Sequence, residues 1–408
     1  MPNTNKYIIK SLAPWMIDEL MVFSEFTSYD LIFLRKQEEF YKEEIKKLAD
    51  NGVKIYIKPS SLKGLLKKIV TTFNFLFLNV DKFKFNYNGV IGFKSIWWFL
   101  KLDISLFSHS SNIHSQFATQ PTLISFLIKQ YYNGKPKYSF TYHAYDIYFK
   151  NKWLDLLVKE SFKVFSISEF NINYLKKEYN IQSNKIELSR LGVFRDSIEN
   201  LPKRKNKETM NLGLMSWFTE KKGIIYLLRA LKELRQKGYD KIRLKLAGDG
   251  PLKNEFLEFI KKNELTGSID FVGKVKGDQK EQFYNSIDVF ILPSIVLKDD
   301  QDGIPVVLME AIAYGLPIIS TDVSGIPEIC IDNFNGFLIK EKDVNAIIES
   351  IISMYKHSDK RLYFFKNSIK MSKKYDIRLN SLEKVNLLKW KSHSDNLKNQ
   401  NKNNLYVF

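Results

Sequence analysis

Asp302–Ala311 reads DGIPVVLMEA, following the apolar run Asp288–Leu292 and opening a helix. Gly303 allows the backbone to approach a ligand closely. Pro305 suits the first helical position, where a missing N–H costs nothing. The amides of Val306 and Val307 then lie at the positive end of the helix dipole, a ready anion site. Asp302 stands just before that helix, and Glu310 lies about one and a half turns into it. Two carboxylates flanking a phosphate-binding helix start suit a nucleotide sugar: one for the ribose, one for the transferred sugar.

Outward from this stretch, strands alternate with helices. Strands are expected at Asn211–Met215, Lys241–Ala247, Ser268–Val272, Asp288–Leu292 and Pro317–Ser320. The intervening helices are Gly223–Lys237, Pro251–Asn263, Gln279–Ser286, Pro305–Tyr314 and Val344–Tyr355. That rhythm predicts a doubly wound parallel sheet. Upstream, a helix over Gln37–Asp50 closed by Gly52, strands Val53–Ile57, Tyr138–Tyr142 and Val164–Ile167, and a helix Asn171–Tyr179 predict another. The first thirty residues give no assignment. The polar run Arg195–Met210, with Pro202, Lys203, Arg204, Lys205 and Lys207, reads as a linker. The expected organisation is an N-terminal domain 1–195, a linker 196–210 and a C-terminal domain 211–372. A helix over 373–392 then returns to the N-terminal domain, and a low-complexity, disordered tail 393–408 ends the chain. Ligands of such sheets sit beyond the carboxyl ends of the strands, here in a cleft between the two domains.

Length and composition agree. At 408 residues the chain exceeds one ordinary core, and 44% hydrophobic with 26% charged residues is a folding composition. One cysteine, Cys330, excludes an intramolecular disulfide framework and suggests a reducing compartment. No apolar run reaches about 20 residues and the start lacks a secretory pattern, so a soluble cytoplasmic protein is expected. The +18 charge attracts polyanions in general. No basic run accompanies a nucleic-acid-binding motif, so no nucleic-acid partner is expected. Between Ser61 and Phe107, lysines and large rings (Lys67, Lys68, Phe73, Phe75, Phe77, Trp97, Trp98, Phe99) occur together. They either lie on an anionic membrane surface or fill the core.

Several segments carry a family resemblance. GIPVVLMEA followed by YGLPIIST, SWFTEKKGIIYLLRAL from Ser216, LAGDGPL from Leu246, SIDFVGKV from Ser268 and SGIPEI from Ser324 occur in order, preceded by IHSQFATQP from Ile113 and FTYHAYDIY from Phe140. Together they resemble the retaining family 4 glycosyltransferases, in the branch that builds capsule, exopolysaccharide and lipopolysaccharide. The resemblance implies the GT-B fold, two Rossmann-like α/β domains facing each other across a cleft. It implies transfer of a sugar, with retention, from a nucleotide-diphosphate donor such as a UDP-sugar to a surface polysaccharide or lipid-linked glycan. It also implies that no metal or other cofactor is needed, so the DDQD spelling at Asp299–Asp302 is not a metal site, and it allows peripheral contact with the membrane.

Residue by residue, Lys222 matches the diphosphate-binding lysine, and Asp302 and Glu310 match the acidic pair, Asp302 standing where glutamate is usual. Trp217 replaces an arginine of the family, with Lys221, Arg190 or the helix dipole in compensation. Gly273, Lys274 and Val275 match the nucleobase contacts, and Gly303, Ile304, Pro305, Val306, Val307 and Gly325 the donor cradle. His143 matches the histidine beside the transferred sugar, with His114 and Asp146 as acceptor-side candidates. Glu310→Gln and Lys222→Ala are expected to abolish turnover with little change in melting temperature. The alternatives are a non-catalytic partner of the same fold, or a nucleotide-sugar epimerase.

Overall fold

Where both faces of a sheet are covered, a short apolar run forms a strand. VFIL, Val289–Leu292, is buried at every residue, as a parallel strand between two helical layers requires. The computed structural model describes residues 4–37, 41–82, 87–148, 150–181, 184–195, 208–298 and 300–390. These divide into two compact units, the described residues of Met1–Leu191 with those of Ile377–Phe408, and Gly192–Asp376.

The N-terminal unit contains strands β1 Thr4–Ile9, β2 Tyr29–Phe33, β3 Lys54–Ile57, β4 Ser110–Gln116, β5 Lys137–Tyr142, β6 Lys163–Ser166 and β7 Ile186–Leu188. Its helices are α1 Pro14–Phe26, α2 Lys42–Asp50, α3 Leu65–Leu78, α4 Tyr87–Lys101, α5 Gln120–Tyr131, α6 Tyr145–Tyr148, α7 Leu154–Glu160 and α8 Glu169–Glu178. The strands run parallel in the order β3-β2-β1-β4-β5-β6-β7, which reverses direction between β1 and β4. Strand alternation sorts the core. Tyr7 and Ile9 face one helical layer with Phe23, and Ile8 faces the other with Ile124 and Phe140.

The C-terminal unit contains β8 Met210–Trp217, β9 Ile242–Asp249, β10 Ile269–Gly273, β11 Val289–Leu292, β12 Ile318–Thr321 and β13 Gly336–Ile339. Around them lie α9 Ile224–Gln236, α10 Lys253–Lys262, α11 Asp278–Ser286, α12 Val306–Ala313, α13 Val344–Lys356 and α14 Ser358–Ser372. The order β10-β9-β8-β11-β12-β13 is again parallel, with its reversal between β8 and β11. The last helix, α15 Ile377–Leu388, belongs to the N-terminal unit, where it packs on α1. Its buried residues Ile377, Ser381, Lys384, Val385 and Leu388 form one helical stripe.

Several expected bounds shift. The unassigned start holds β1, α1 and the beginning of β2; Pro14 is the first residue of α1. β8 already begins at Met210, so the linker ends earlier than expected. Residues 196–207, the tail 393–408 and Asp299 lie outside the described residues. Pro305 is not the first helical residue but the N-cap, with ψ 127°, and α12 starts at Val306.

Candidate active site

The loops leaving β8 and β11 flank the reversal in strand order, where ligands of open α/β sheets bind. The first carries Trp217, Lys221 and Lys222, and the second Ser294 and Asp302. Gly223, with φ +62°, ends the first loop. A Cβ there would lie 1.9 Å from the Pro293 carbonyl oxygen, so only glycine lets the two loops approach this closely. Lys222 Nζ bonds both oxygens of Asp302 at 2.8 Å, and Ser294 Oγ donates to Asp302 Oδ2 at 2.9 Å. Lys221 Nζ lies 2.8 Å from Asp300 Oδ1 and 3.7 Å from Asp302 Oδ1. Asp302 is 7% exposed. Burial alone would raise its pKa, but the Lys222 ammonium, then Lys221, outweigh burial and hold it below the usual carboxylate value.

Glu310, on α12, is held from α11. Lys280 forms an ion pair with Oε1, and the Tyr284 hydroxyl donates to Oε2 at 2.5 Å. Tyr284 is fully buried and stacks on Tyr314 with centroids 5.0 Å apart. Both acids of the predicted pair are thus already anchored by a lysine and a hydroxyl. Neither anchor, Ser294 nor Lys280 with Tyr284, was named from sequence. An apolar run gives no sign of which neighbour faces a carboxylate.

Of the remaining candidates, Gly303, Ile304 and Pro305 are buried between Asp302 and α12, and Val306 and Val307 are half-buried at its start. Gly273 ends β10 with φ +76° and open space around it. Lys274 Nζ reaches back to Asp249 Oδ2 at 3.5 Å and lies 5.6 Å above the exposed Trp217 ring. The Trp217 ring thus lies beneath Lys274, one of the three predicted nucleobase contacts. In the loop after β12 the left-handed residue is Ser324, φ +51°, while Gly325 has an ordinary φ of −85°. Arg190 lies in the N-terminal unit, with Nη2 2.9 Å from Glu169 Oε1. Among the described residues no three His, Cys, Asp or Glu side chains are grouped to hold a metal ion.

In the N-terminal unit, His143 follows β5 and is 6% exposed, its ring between Trp15 (4.8 Å) and Phe117 (4.7 Å). His143 Nε2 is 2.8 Å from Gln116 Oε1, and Gln116 Nε2 is 2.7 Å from Glu19 Oε2. Glu19 Oε1 in turn meets Lys384 Nζ, from α15, at 2.6 Å. A carboxylate only accepts, so Gln116 turns its nitrogen to Glu19 and its oxygen to His143. That assignment puts the imidazole proton on Nε2 and leaves Nδ1 as an acceptor with no hydrogen bond among the described residues. Burial, then the Lys384 charge, lowers the His143 pKa to about 3. Glu19 and Lys384 were not foreseen. They are some 365 residues apart in sequence and meet only through the fold.

The two acceptor-side candidates are enclosed. His114 has no exposed surface, and its ring nitrogens meet Ser139 Oγ (2.9 Å) and Thr141 Oγ1 (3.1 Å). Asp146, also fully buried, accepts from the backbone N–H of Ala118 (2.6 Å) and His143 (2.7 Å), tying two loops together. Burial raises its pKa to about 6. Neither offers a free polar atom to an acceptor. His114 belongs to the core, and Asp146 positions the His143 loop.

Two parallel α/β units, each with a reversal in strand order, make up the GT-B architecture, and solved structures agree. A glycosyltransferase from Rickettsia africae superimposes with a TM-score of 0.67 at 16% identity, covering 98% of this chain and 100% of that one. Alr3699/HepE of Anabaena, solved with UDP and glucose, does so with 0.69 at 13% identity, covering 95% and 99%. Residues 197–371, within the linker and C-terminal unit, match the family model described as Glycosyl transferases group 1. Among curated relatives, WcaL of Escherichia coli, named for colanic acid biosynthesis, is 32% identical over 168 residues, 41% of each chain. The amylovoran biosynthesis glycosyltransferase AmsK of Erwinia amylovora is 30% identical over 173 residues, 42% of each. The alignments thus span well under half the length of these relatives.

Proposed function

We propose that the protein is a retaining glycosyltransferase of exopolysaccharide synthesis, moving a hexose from a UDP-sugar to a lipid-linked glycan at the cytoplasmic face of the membrane. The observation that carries this reading is the convergence of Lys222, Asp302 and the start of α12 at the β8–β11 reversal, with Glu310 about one turn further on. As the sugar–phosphate bond breaks, negative charge gathers on the diphosphate. The Lys222 ammonium and the amides of Val306 and Val307 stabilise it without reorganising, which lowers the barrier. Glu310, oriented by Tyr284 and Lys280, is placed to accept from hydroxyls of the donor. Nδ1 of His143 offers a sugar hydroxyl a single, fixed acceptor. Attack from the face the diphosphate leaves needs no protein nucleophile, and these charges need no metal beside them. The UDP of the HepE structure and the names of WcaL and AmsK support the donor and the pathway class.

One observation favours a second reading, binding without turnover. Trp217 takes the place of a cation, and Lys222 already has its charge matched by Asp302. A mass-spectrometric screen of nucleotide-sugar consumption in the presence of glycolipid extract separates the two. UDP release by the native chain, lost in Glu310→Gln, supports transfer. Tight UDP binding with no sugar consumed by either protein would refute it.

A further inference from the structure

α3 is built inside out. Its inward stripe is Lys68, Thr72 and Phe75, continued by Asn79, whereas Leu66, Ile69, Val70, Phe73 and Phe77 face outward. Lys68, with no exposed surface, donates to the carbonyls of Ser61 (2.9 Å), Leu100 (3.1 Å) and Leu102 (2.7 Å), so a cation serves as core. Outside, Leu66 is 82% exposed, Phe73 68% and Phe77 76%. α4 continues this face with Val90, Phe93 and Trp97 at helical spacing, about half exposed. Polar groups inward and apolar groups outward are the reverse of what water selects. A patch of this kind marks a surface that meets an apolar phase.

The charges nearby say what kind of phase. Neither α3 nor α4 contains an acidic residue, and Lys63, Lys67, Lys94 and Lys101 are exposed around the patch. Lys101 Nζ lies 4.0 Å above the Trp97 ring. Trp97 also borders a cavity of about 590 Å³ lined by Arg35, Lys36, Lys58, Lys94 and Trp98. Arg35 and Lys36 follow β2 and Lys58 follows β3, so strand ends deliver the cations to one place. None of the four has an ion-pair partner among the described residues. Lys10, after β1, has its pKa lowered by burial and then by the charges of Arg35 and Lys94. Crowded cations beside an apolar, tryptophan-edged face match phosphate headgroups above acyl chains. A second copy of this chain, docked symmetrically, would press lysine against lysine.

We propose that the outer face of α3 and the exposed row of α4 dock on an anionic phospholipid bilayer, whose headgroup phosphates enter the Arg35, Lys36, Lys58 and Lys94 cluster. This deepens the proposed lipid-linked acceptor by naming the surface that meets the membrane. The test uses no nucleotide or acceptor, so the two readings fail separately. Co-sedimentation with phosphatidylcholine vesicles, with and without phosphatidylglycerol, is the measurement. Binding is expected only with phosphatidylglycerol, weakening as salt rises. Phe73→Ser with Phe77→Ser, and separately Lys58→Glu with Lys94→Glu, should each weaken it by roughly tenfold or more. Unchanged melting curves for both variants show that folding is intact. Absence of native binding at low salt, or binding by both variants as strong as that of the native chain, overturns the proposal. So does a dimer in light scattering that Phe73→Ser with Phe77→Ser dissociates while no vesicles are bound. Binding of inorganic phosphate by a chain that binds no vesicles likewise overturns it.

Discussion

Replacing Lys222 by Met removes the ammonium that bonds both oxygens of a 7%-exposed carboxylate. Breaking a buried pair from one side costs about 3–5 kcal/mol, because the remaining charge is left without compensation. Asp302 keeps Ser294 and, at 3.7 Å, Lys221, so the expected loss is lower, about 2–3 kcal/mol. For a unit of this size that corresponds to a melting temperature lower by about 4–12 °C. The sequence suggested that Lys222 could be changed with little effect on stability; its pairing with the buried Asp302 predicts a loss instead. The sign of the pH dependence follows from the same pair. Asp302 has a lowered folded pKa, so its contribution is present above the unfolded value of about 3.9 and is lost as pH falls through the folded one. Without Lys222 burial dominates, and the carboxylate is costly at neutral pH but not once protonated. Differential scanning calorimetry from pH 7 down to pH 4 should therefore show the gap between native and K222M narrowing. UDP release by K222M, assayed well below its own melting point, should fall by about 10²–10³-fold. A melting temperature unchanged at pH 7, or a gap that stays constant with pH, would refute the reasoning.

Two further outcomes are expected. His143 is kept neutral in the folded chain, so its contribution to stability is present above the unfolded pKa of about 6.5 and is lost as pH falls towards 3. His143→Asn should accordingly remove about 2 kcal/mol of the stability lost between pH 6.5 and 4.5, read from urea melts at both pH values. Gly248 has φ +135°, and a Cβ there would lie 1.9 Å from the Ser216 carbonyl oxygen, so Gly248→Ala should cost about 2 kcal/mol or more and weaken UDP binding in calorimetry.

The C-terminal unit was legible because β11 is a continuous apolar run, β9 alternates apolar and polar residues, and its turns carry glycines that their geometry requires. Gly223 and Gly248 are cases where a side chain has no room. The N-terminal unit was less so. β1 begins TNKY, its Lys6 buried against Asp30 of β2, and a buried ion pair removes the apolar signature that a strand search relies on. α3 misleads in the opposite way: its periodicity is genuine, but the face that packs is the one holding Lys68 and Thr72. Within the site, Asp302, Lys222 and Glu310 could be read from spacing and resemblance. Their anchors Ser294, Lys280 and Tyr284, and the chain from Lys384 through Glu19 and Gln116 to His143, come from separate elements. Such contacts have no local pattern.

The placement of α15 has a consequence for how the chain is made. Trp390 packs its ring near Tyr7, Phe23 and Tyr29, and Lys384 closes on Glu19, so the N-terminal unit takes its last pieces from the end of the polypeptide. A ribosome adding about 5–20 residues per second needs roughly 10–40 s to make the intervening unit. Through that interval β1 and α1 wait with an open apolar seam and a carboxylate lacking its cation. Nascent chains stalled after Asp376 should be protease-sensitive in their first half while the second half is already resistant.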